Sequence, residues 1–214
     1  NVALFSMDEN NPRIKALQRK GGITAVYENG YVTICRGEWK MRVMRAEEIP
    51  LTYGGKAEFM IQNILPALLT ANIQGASIED MKAGLSTFIP SPTQTPGRLN
   101  LFEFKKFNVL LDYAHNPAGM RALKKFTDSM TATKKVGIIA GIGDRRIEDN
   151  NEIGAVAATM FDEFMEKYGS WDKVDPKLPA KKIVIYLTGG GSGYINGQPS
   201  RPREWAMTFK RNFE

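Results

Sequence analysis

VLLDYAHNPAGM, Val109 to Met120, decides how this chain folds. An apolar run ends at Asp112, and four residues later Asn116-Pro117 follows His115, the only histidine among 214 residues. Asparagine is a good helix N-cap, and proline fits the first helical position, where a missing N–H costs nothing. The stretch therefore reads as a strand that turns into a helix, which continues to about Met130 with Met120, Leu123 and Phe126 on one face. A histidine at such a junction stands where open α/β sheets bind ligands, beyond the carboxyl ends of the strands. The same position also suits an ordinary solvated loop residue.

Working outward, LNLFEF and FNVLLDYA form a strand pair around Lys105 and Lys106. KVGIIAGI is a short, nearly uninterrupted apolar run of the kind that parallel strands buried on both faces show. Ile153, Val156, Ala157, Met160, Phe161 and Phe164 recur at helical spacing, which predicts a helix ending near Gly169. KKIVIYLT gives a further buried strand, then GGGSG, and a final helix is expected in REWAMTFKRNF. Such alternation implies an α/β sheet, mainly parallel, with right-handed crossovers.

Upstream, IPSPTQTPGR holds three prolines and a glycine and reads as a linker, which sets a domain boundary near Thr95 and two domains, 1–94 and 95–214. The first opens on a strand-like run, NVALFSM. GITAVYENGYVTICRG then alternates around Glu28, Asn29 and Gly30, and Asn-Gly between two such runs signals a hairpin. MRVMRAEEI is another strand. Helices are expected from Lys56 to about Ile73 and from Ile78 to Phe88, the second with Ser77 as N-cap and Asp80 three positions on. The chain opens inside a strand-like run without an initiator methionine, so it is expected to be an internal piece of a longer polypeptide.

Composition narrows the function classes. An apolar content of 43% is enough for a real core. The strongest apolar helix, FMIQNILPALLTANI, is shorter than the roughly 20 residues of a membrane span and contains Gln62, Asn63 and Pro66. With no signal-peptide pattern at the start, a cytoplasmic location is expected. One cysteine, Cys35, excludes an internal disulfide, and one cysteine with one histidine excludes a zinc site of Cys and His clusters. Any metal is expected to be magnesium held by oxygens. The net charge of +6 is scattered except in RPREWAMTFKR, and it suits nucleotides or an acidic polymer as well as nucleic acid.

Three loops follow predicted parallel strands: DYAHNP, GIGDRR (Gly141 to Arg146) and GGGSG (Gly189 to Gly193). If those strands are neighbours, all three open on one edge, where a histidine, an aspartate and paired arginines could hold a nucleotide. Each also has a plain reading. GIGDRR could be a turn whose Asp144 caps the next helix, and GGGSG lacks the Lys-Ser or Lys-Thr of a GxxxxGK[ST] phosphate loop. A nucleophilic relay is poorly supported, since Cys35 lies in the other domain inside a strand, and no spacing singles out a carboxylate pair.

NVALFSMDENNPRI, GGITAVYENGYVTI, IPLTYGGKAEFMIQNILPA, PSPTQTPGRLNLFEF, LLDYAHNPAG and GIIAGIGDRR, in that order, resemble the Mur-ligase-like half of the cyanophycin synthetase family from Asn1 to about Glu163. DYAHNP alone is shared across Mur ligases. The resemblance implies the end of a Mur-type central ATPase domain over 1–94, followed by a Rossmann-like Mur ligase C-terminal domain over 95–214. It implies an ATP-dependent ligase that joins arginine to aspartate side-chain carboxylates of an aspartate–arginine polymer through an acyl phosphate. Asn63, Arg98, Asp112, His115, Asn116, Asp144 and Arg145 are then the expected nucleotide-side residues. ATP and Mg2+ would be held mainly by parts of the polypeptide before Asn1, and a homo-oligomer is expected, with no membrane and no nucleic acid as partner. From Phe164 the chain departs from the family, reading FMEKYGSWDKVDPKLP, and no family motif supports GGGSG. Two alternatives stay open: a non-catalytic nucleotide- or polyanion-binding module, and a Mur-type ligase for another amino acid.

Overall fold

The computed structural model describes residues 2–139, 146–166, 182–187, 193–195 and 198–200. The chain divides into two units, residues 1–89 and 90–214. The division falls a few residues ahead of Thr95, because the proline-rich stretch is hydrogen-bonded into the second unit: Thr95 N donates to Ser91 O at 2.8 Å, and Asn100 Nδ2 donates to Thr95 O at 2.9 Å.

In the first unit, β1 (Leu4–Ser6) runs parallel to β2 (Ile23–Glu28), which continues antiparallel into β3 (Tyr31–Arg36) and β4 (Trp39–Arg45). The turn between β2 and β3 is the expected Asn29-Gly30, and both residues take positive φ, 49° and 83°. A two-residue hairpin turn that matches strand twist needs that conformation. Side chains alternate across a strand, so neighbouring residues of β2 and β3 enter different cores. Ala25, Val32 and Ile34 pack with Ile61, Ile64, Leu65 and Leu68 of α2 (Glu58–Ile73). Val26 and Cys35 pack on the other face with Ile14 of α1 (Pro12–Arg19). The sequence reading did not anticipate α1, although it is opened by the device used at His115: Asn11 Oδ1 accepts from Arg13 N at 3.0 Å and Pro12 takes the first helical position. α3 (Ile78–Thr87) begins at the expected cap, where Ser77 Oγ accepts from Asp80 N and Ser77 N donates back to Asp80 Oδ2.

The second unit is built on a five-stranded sheet of order β5-β6-β9-β7-β8. β5 (Asn100–Glu103) pairs antiparallel with β6 (Phe107–Asp112). β9 (Lys182–Leu187) lies between β6 and β7 (Lys134–Ile139), parallel to both, and β8 (Glu163–Glu166) extends the parallel set beyond β7. α4 (Pro117–Asp128) buries Met120, Leu123, Phe126 and Thr127, and α5 (Ile147–Met160) buries Ile153, Ala157 and Met160. An Arg121–Glu152 ion pair joins the two helices. A separate hairpin, β10 (Gly193–Ile195) with β11 (Gln198–Ser200), completes the described elements.

One element differs from expectation. The helix predicted to reach Gly169 stops at Met160, and residues 163–166 form β8. Apolar spacing runs through the junction, but Phe161 takes extended angles, φ −114° and ψ 143°. The chain is then tied to β7: Asp162 N donates to Lys135 O at 2.9 Å and Lys135 N donates to Asp162 Oδ2 at 2.6 Å. The Phe161 ring fills the space that a side chain at Gly137 would need. Ring insertion over a glycine and strand pairing therefore override the helical period. The final helix expected in REWAMTFKRNF, the GIGDRR residues before Arg146 and the GGGSG residues before Gly193 lie outside the described residues.

Candidate functional site

The carboxyl ends of β6, β9 and β7 lie in one row, with Asp112 opposite Leu187 and Leu187 opposite Ile139. The three strands are thus parallel neighbours, and the chain leaves all of them at the same sheet edge. DYAHNP is the described part of that edge.

A buried Asn100 and a half-buried Asp112 shape it. Asn100, 1% exposed, accepts from Gly97 N at 2.8 Å through Oδ1 and donates through Nδ2 to Thr95 O and to Arg98 O at 3.3 Å. This side chain replaces the backbone ladder that the loop cannot make. Asp112 accepts from Leu99 N at 2.9 Å on Oδ2 and from Ala114 N at 2.8 Å on Oδ1. Leu99 and Ala114 are two of the four described non-glycine residues with positive φ, at 49° and 29°. Such conformations cost on the order of 1–3 kcal/mol each and persist only when neighbouring contacts impose them. Here one carboxylate imposes both. Burial pushes the Asp112 carboxyl above its usual range, against the opposing pull of the Ala114 and Leu99 N–H groups and the Arg98 charge.

Arg98 has its N–H on Thr95 O at 3.0 Å and its carbonyl on Asn100, so its backbone is fixed while its side chain is exposed. The guanidinium lies over the Tyr113 ring, 4.7 Å from the centroid, and no described carboxylate forms a salt bridge with it. The half-buried His115 ring meets the same tyrosine edge-on, with centroids 4.8 Å apart at 73°. Asn116 is the N-cap of α4, its Oδ1 accepting from Gly119 N at 2.7 Å. Among the described residues the edge therefore gathers a guanidinium without a salt bridge, an imidazole and a helix N-terminus, a donor set suited to an anion.

Four of the seven expected residues, Arg98, Asp112, His115 and Asn116, come together here. Asn63 is an exposed residue of α2 in the first unit, and Asp144 and Arg145 lie outside the described residues. Arg146, the last residue of GDRR, forks onto Asp149 with bonds of 2.8 and 3.1 Å at the start of α5. Sequence reasoning missed Tyr113 and Asn100. The aromatic inside DYAHNP was a usable signal for the first; nothing local marks the second. Among the described residues no three His, Cys, Asp or Glu side chains converge as a metal site, and no helix is long and apolar enough to cross a membrane.

Residues 97–188 match the family model described as Mur ligase, glutamate ligase domain. Over 184 residues the chain is 44% identical to a cyanophycin synthetase of Nostoc sp., covering 86% of this chain and 20% of the relative. It is 47% identical over 166 residues to that of Synechocystis sp., covering 78% and 19%. The chain is a relative of the cyanophycin synthetases and carries a Mur ligase C-terminal domain. It spans about one fifth of the length of these curated relatives. Among solved structures, Escherichia coli FolC in complex with DHPP and ADP aligns with a TM-score of 0.60 at 13% identity, covering 100% of this chain and 54% of that one. The UDP-N-acetylmuramoylalanyl-D-glutamyl-2,6-diaminopimelate–D-alanyl-D-alanyl ligase of Acinetobacter baumannii aligns with a TM-score of 0.56 at 17%, covering 99% and 50%. At these identities the structures speak for the fold, which is that of the Mur-type ligases.

Proposed function

We propose that this chain is part of an ATP-dependent acid–amino acid ligase that joins arginine to aspartate side-chain carboxylates of an aspartate–arginine polymer. The observation that carries this reading is the Arg98 guanidinium, without a salt bridge to a described carboxylate, on the same tyrosine ring as His115 at the start of α4, in a chain 44–47% identical to cyanophycin synthetases. ATP, when bound, supplies the phosphoryl group that turns the carboxylate into an acyl phosphate. Arg98 would neutralise charge on the transferring group, which is most of what a protein contributes to phosphoryl transfer. His115 would orient the nucleotide from the helix entrance, and Asn116 would hold that entrance through its cap on Gly119. Asp112 would fix the loops that carry Arg98 and His115. Asn63, Asp144 and Arg145 are proposed as further nucleotide contacts. Mg2+ would be held mainly by acidic side chains of the polypeptide outside this chain. The full enzyme is proposed to work in the cytoplasm as a homo-oligomer.

The test is arginine incorporation by the full-length gene product, supplied with ATP, Mg2+ and an aspartate-rich primer. Incorporation with phosphate release is expected, and Arg98→Ala should lower kcat/KM for ATP by about a hundredfold, the scale of losing one charge-stabilising donor. No incorporation, or an Arg98→Ala variant as active as the parent, would sink the reading. Salt-sensitive binding of a polyanion, unaffected by His115→Ala, would then favour a non-catalytic module.

A further inference from the structure

We infer that Tyr113 is a positioning residue for Arg98, presenting its guanidinium at the sheet edge before any ligand arrives; the inference rests on the ligase reading. Arginine is a long side chain with about 2 kcal/mol of rotamer entropy to lose when it grips an anion. An exposed guanidinium without a salt bridge to a described carboxylate would ordinarily sample many rotamers. At Arg98 the backbone is fixed by bonds to Thr95 O and from Asn100 Nδ2, and the Leu99 N–H that follows is fixed by Asp112. What remains free is the side chain, and the Tyr113 face, 4.7 Å away, restrains it. A carboxylate in that place would hold the guanidinium more tightly, but it would also consume the charge and the donors. An aromatic face restrains the plane of the guanidinium and leaves its N–H edge open, because the attraction is to the ring face and uses no hydrogen bond.

The tyrosine is itself anchored. It follows Asp112, whose carboxylate fixes Ala114 just beyond it, and its ring meets His115 edge-on at 4.8 Å. One ring therefore contacts both side chains proposed to meet the nucleotide. The contact is made by the ring, so phenylalanine should serve in its place while an aliphatic residue should not. Tyr113 touches no reacting atom in this assignment.

The experiment compares Tyr113→Phe, Tyr113→Leu, Arg98→Ala and the Tyr113→Leu/Arg98→Ala pair in the full-length gene product, reading kcat and KM for ATP and for arginine. Tyr113→Leu is expected to lower kcat/KM for ATP by about two- to fivefold, the worth of an exposed cation–aromatic contact, with KM for arginine unchanged. Tyr113→Phe should rescue the loss, and in the Arg98→Ala background Tyr113→Leu should cost almost nothing further. In the 214-residue chain, the Arg98 Nε–H resonance should be shifted upfield by the ring in the parent and in Tyr113→Phe, and lose that shift in Tyr113→Leu. Additive losses in the double variant, no rescue by phenylalanine, or no ring shift in the parent each overturn the inference while leaving the ligase reading intact. An Arg98→Ala variant with unchanged kcat/KM for ATP overturns both.

Discussion

Each unit of this chain withdraws a carboxylate from water, and the two are answered differently. Glu28, at the end of β2 with a side chain 1% exposed, is paired with Lys40 of β4. Burial pushes its carboxyl up, but the hydrogen bond and charge of Lys40, with contributions from Glu9 and Arg42, hold it below the usual carboxylate range. Asp112 is answered mainly by backbone N–H groups, and burial leaves it above that range. In the first unit the opposite charge is spent on structure. In the second, Arg98 stays beside the carboxylate without a salt bridge, its guanidinium turned to an aromatic face. A desolvated acid that is satisfied by N–H groups can shape loops without engaging a neighbouring cation in a salt bridge.

The largest effect is expected from Asp112→Ala. It removes the acceptor of the Leu99 and Ala114 N–H groups, at residues 0% and 8% exposed, and with it the contact that holds their positive-φ conformations, for a loss of about 3 kcal/mol in urea unfolding. Because the folded pKa of Asp112 is raised, its contribution is fully present below the ordinary carboxylate pKa and is lost as pH rises through the folded value. The parent should show that decline on its upper limb and the variant should not; a variant that keeps the decline would refute the assignment. Lys40→Met comes next, at about 2–3 kcal/mol, less than for a fully buried pair because the Lys40 side chain is 43% exposed. Its pH signature is opposite: Glu28 stabilises above the ordinary carboxylate pKa, and the parent loses this as pH falls through the lowered folded value. In Lys40→Met that acid limb should move to higher pH, as acid titration of circular dichroism would show.

Gly137→Ala tests how β8 joins the sheet. The added methyl needs the space of the Phe161 ring, so a melting curve should report a loss of about 2 kcal/mol; an unchanged melt would mean that the ring yields at no cost. Asn116→Ala should have the smallest effect, about 1 kcal/mol, from loss of the cap on Gly119. If activity of the full-length protein fell much further than this change in stability accounts for, Asn116 would contact the nucleotide as well as cap the helix.

Much of this architecture was legible wherever a local rule acted alone. Asn29-Gly30 specified its hairpin, Ser77 with Asp80 specified a helix start, and Asn116-Pro117 specified the turn that carries His115. The equivalent Asn11-Pro12 signal was present and went unread, because only one turn of apolar periodicity follows it. β8 was misread for a physical reason: Phe161 and Phe164 keep helical spacing, while Gly137 and the Asp162–Lys135 bonds, distant in sequence, decide that the chain extends. In the candidate site, Arg98, Asp112, His115 and Asn116 were legible as types at loop positions. Tyr113 and Asn100 were not, since their roles rest on partners that only the closed loop brings near.

By itself, the sequence determined which segments are strands and helices at capped and patterned stretches, and that chemistry-bearing residues follow the strands. Those features depend on neighbours within a few positions, where backbone conformation and periodicity act directly. Tertiary structure decided the strand order that inserts β9 between β6 and β7, and the use of Asp112 to hold Leu99 and Ala114. It also decided that Arg98 rests on the face of Tyr113 and forms no ion pair with a described carboxylate. Hydrogen-bond register and side-chain desolvation join residues far apart in the chain, and no local pattern encodes them.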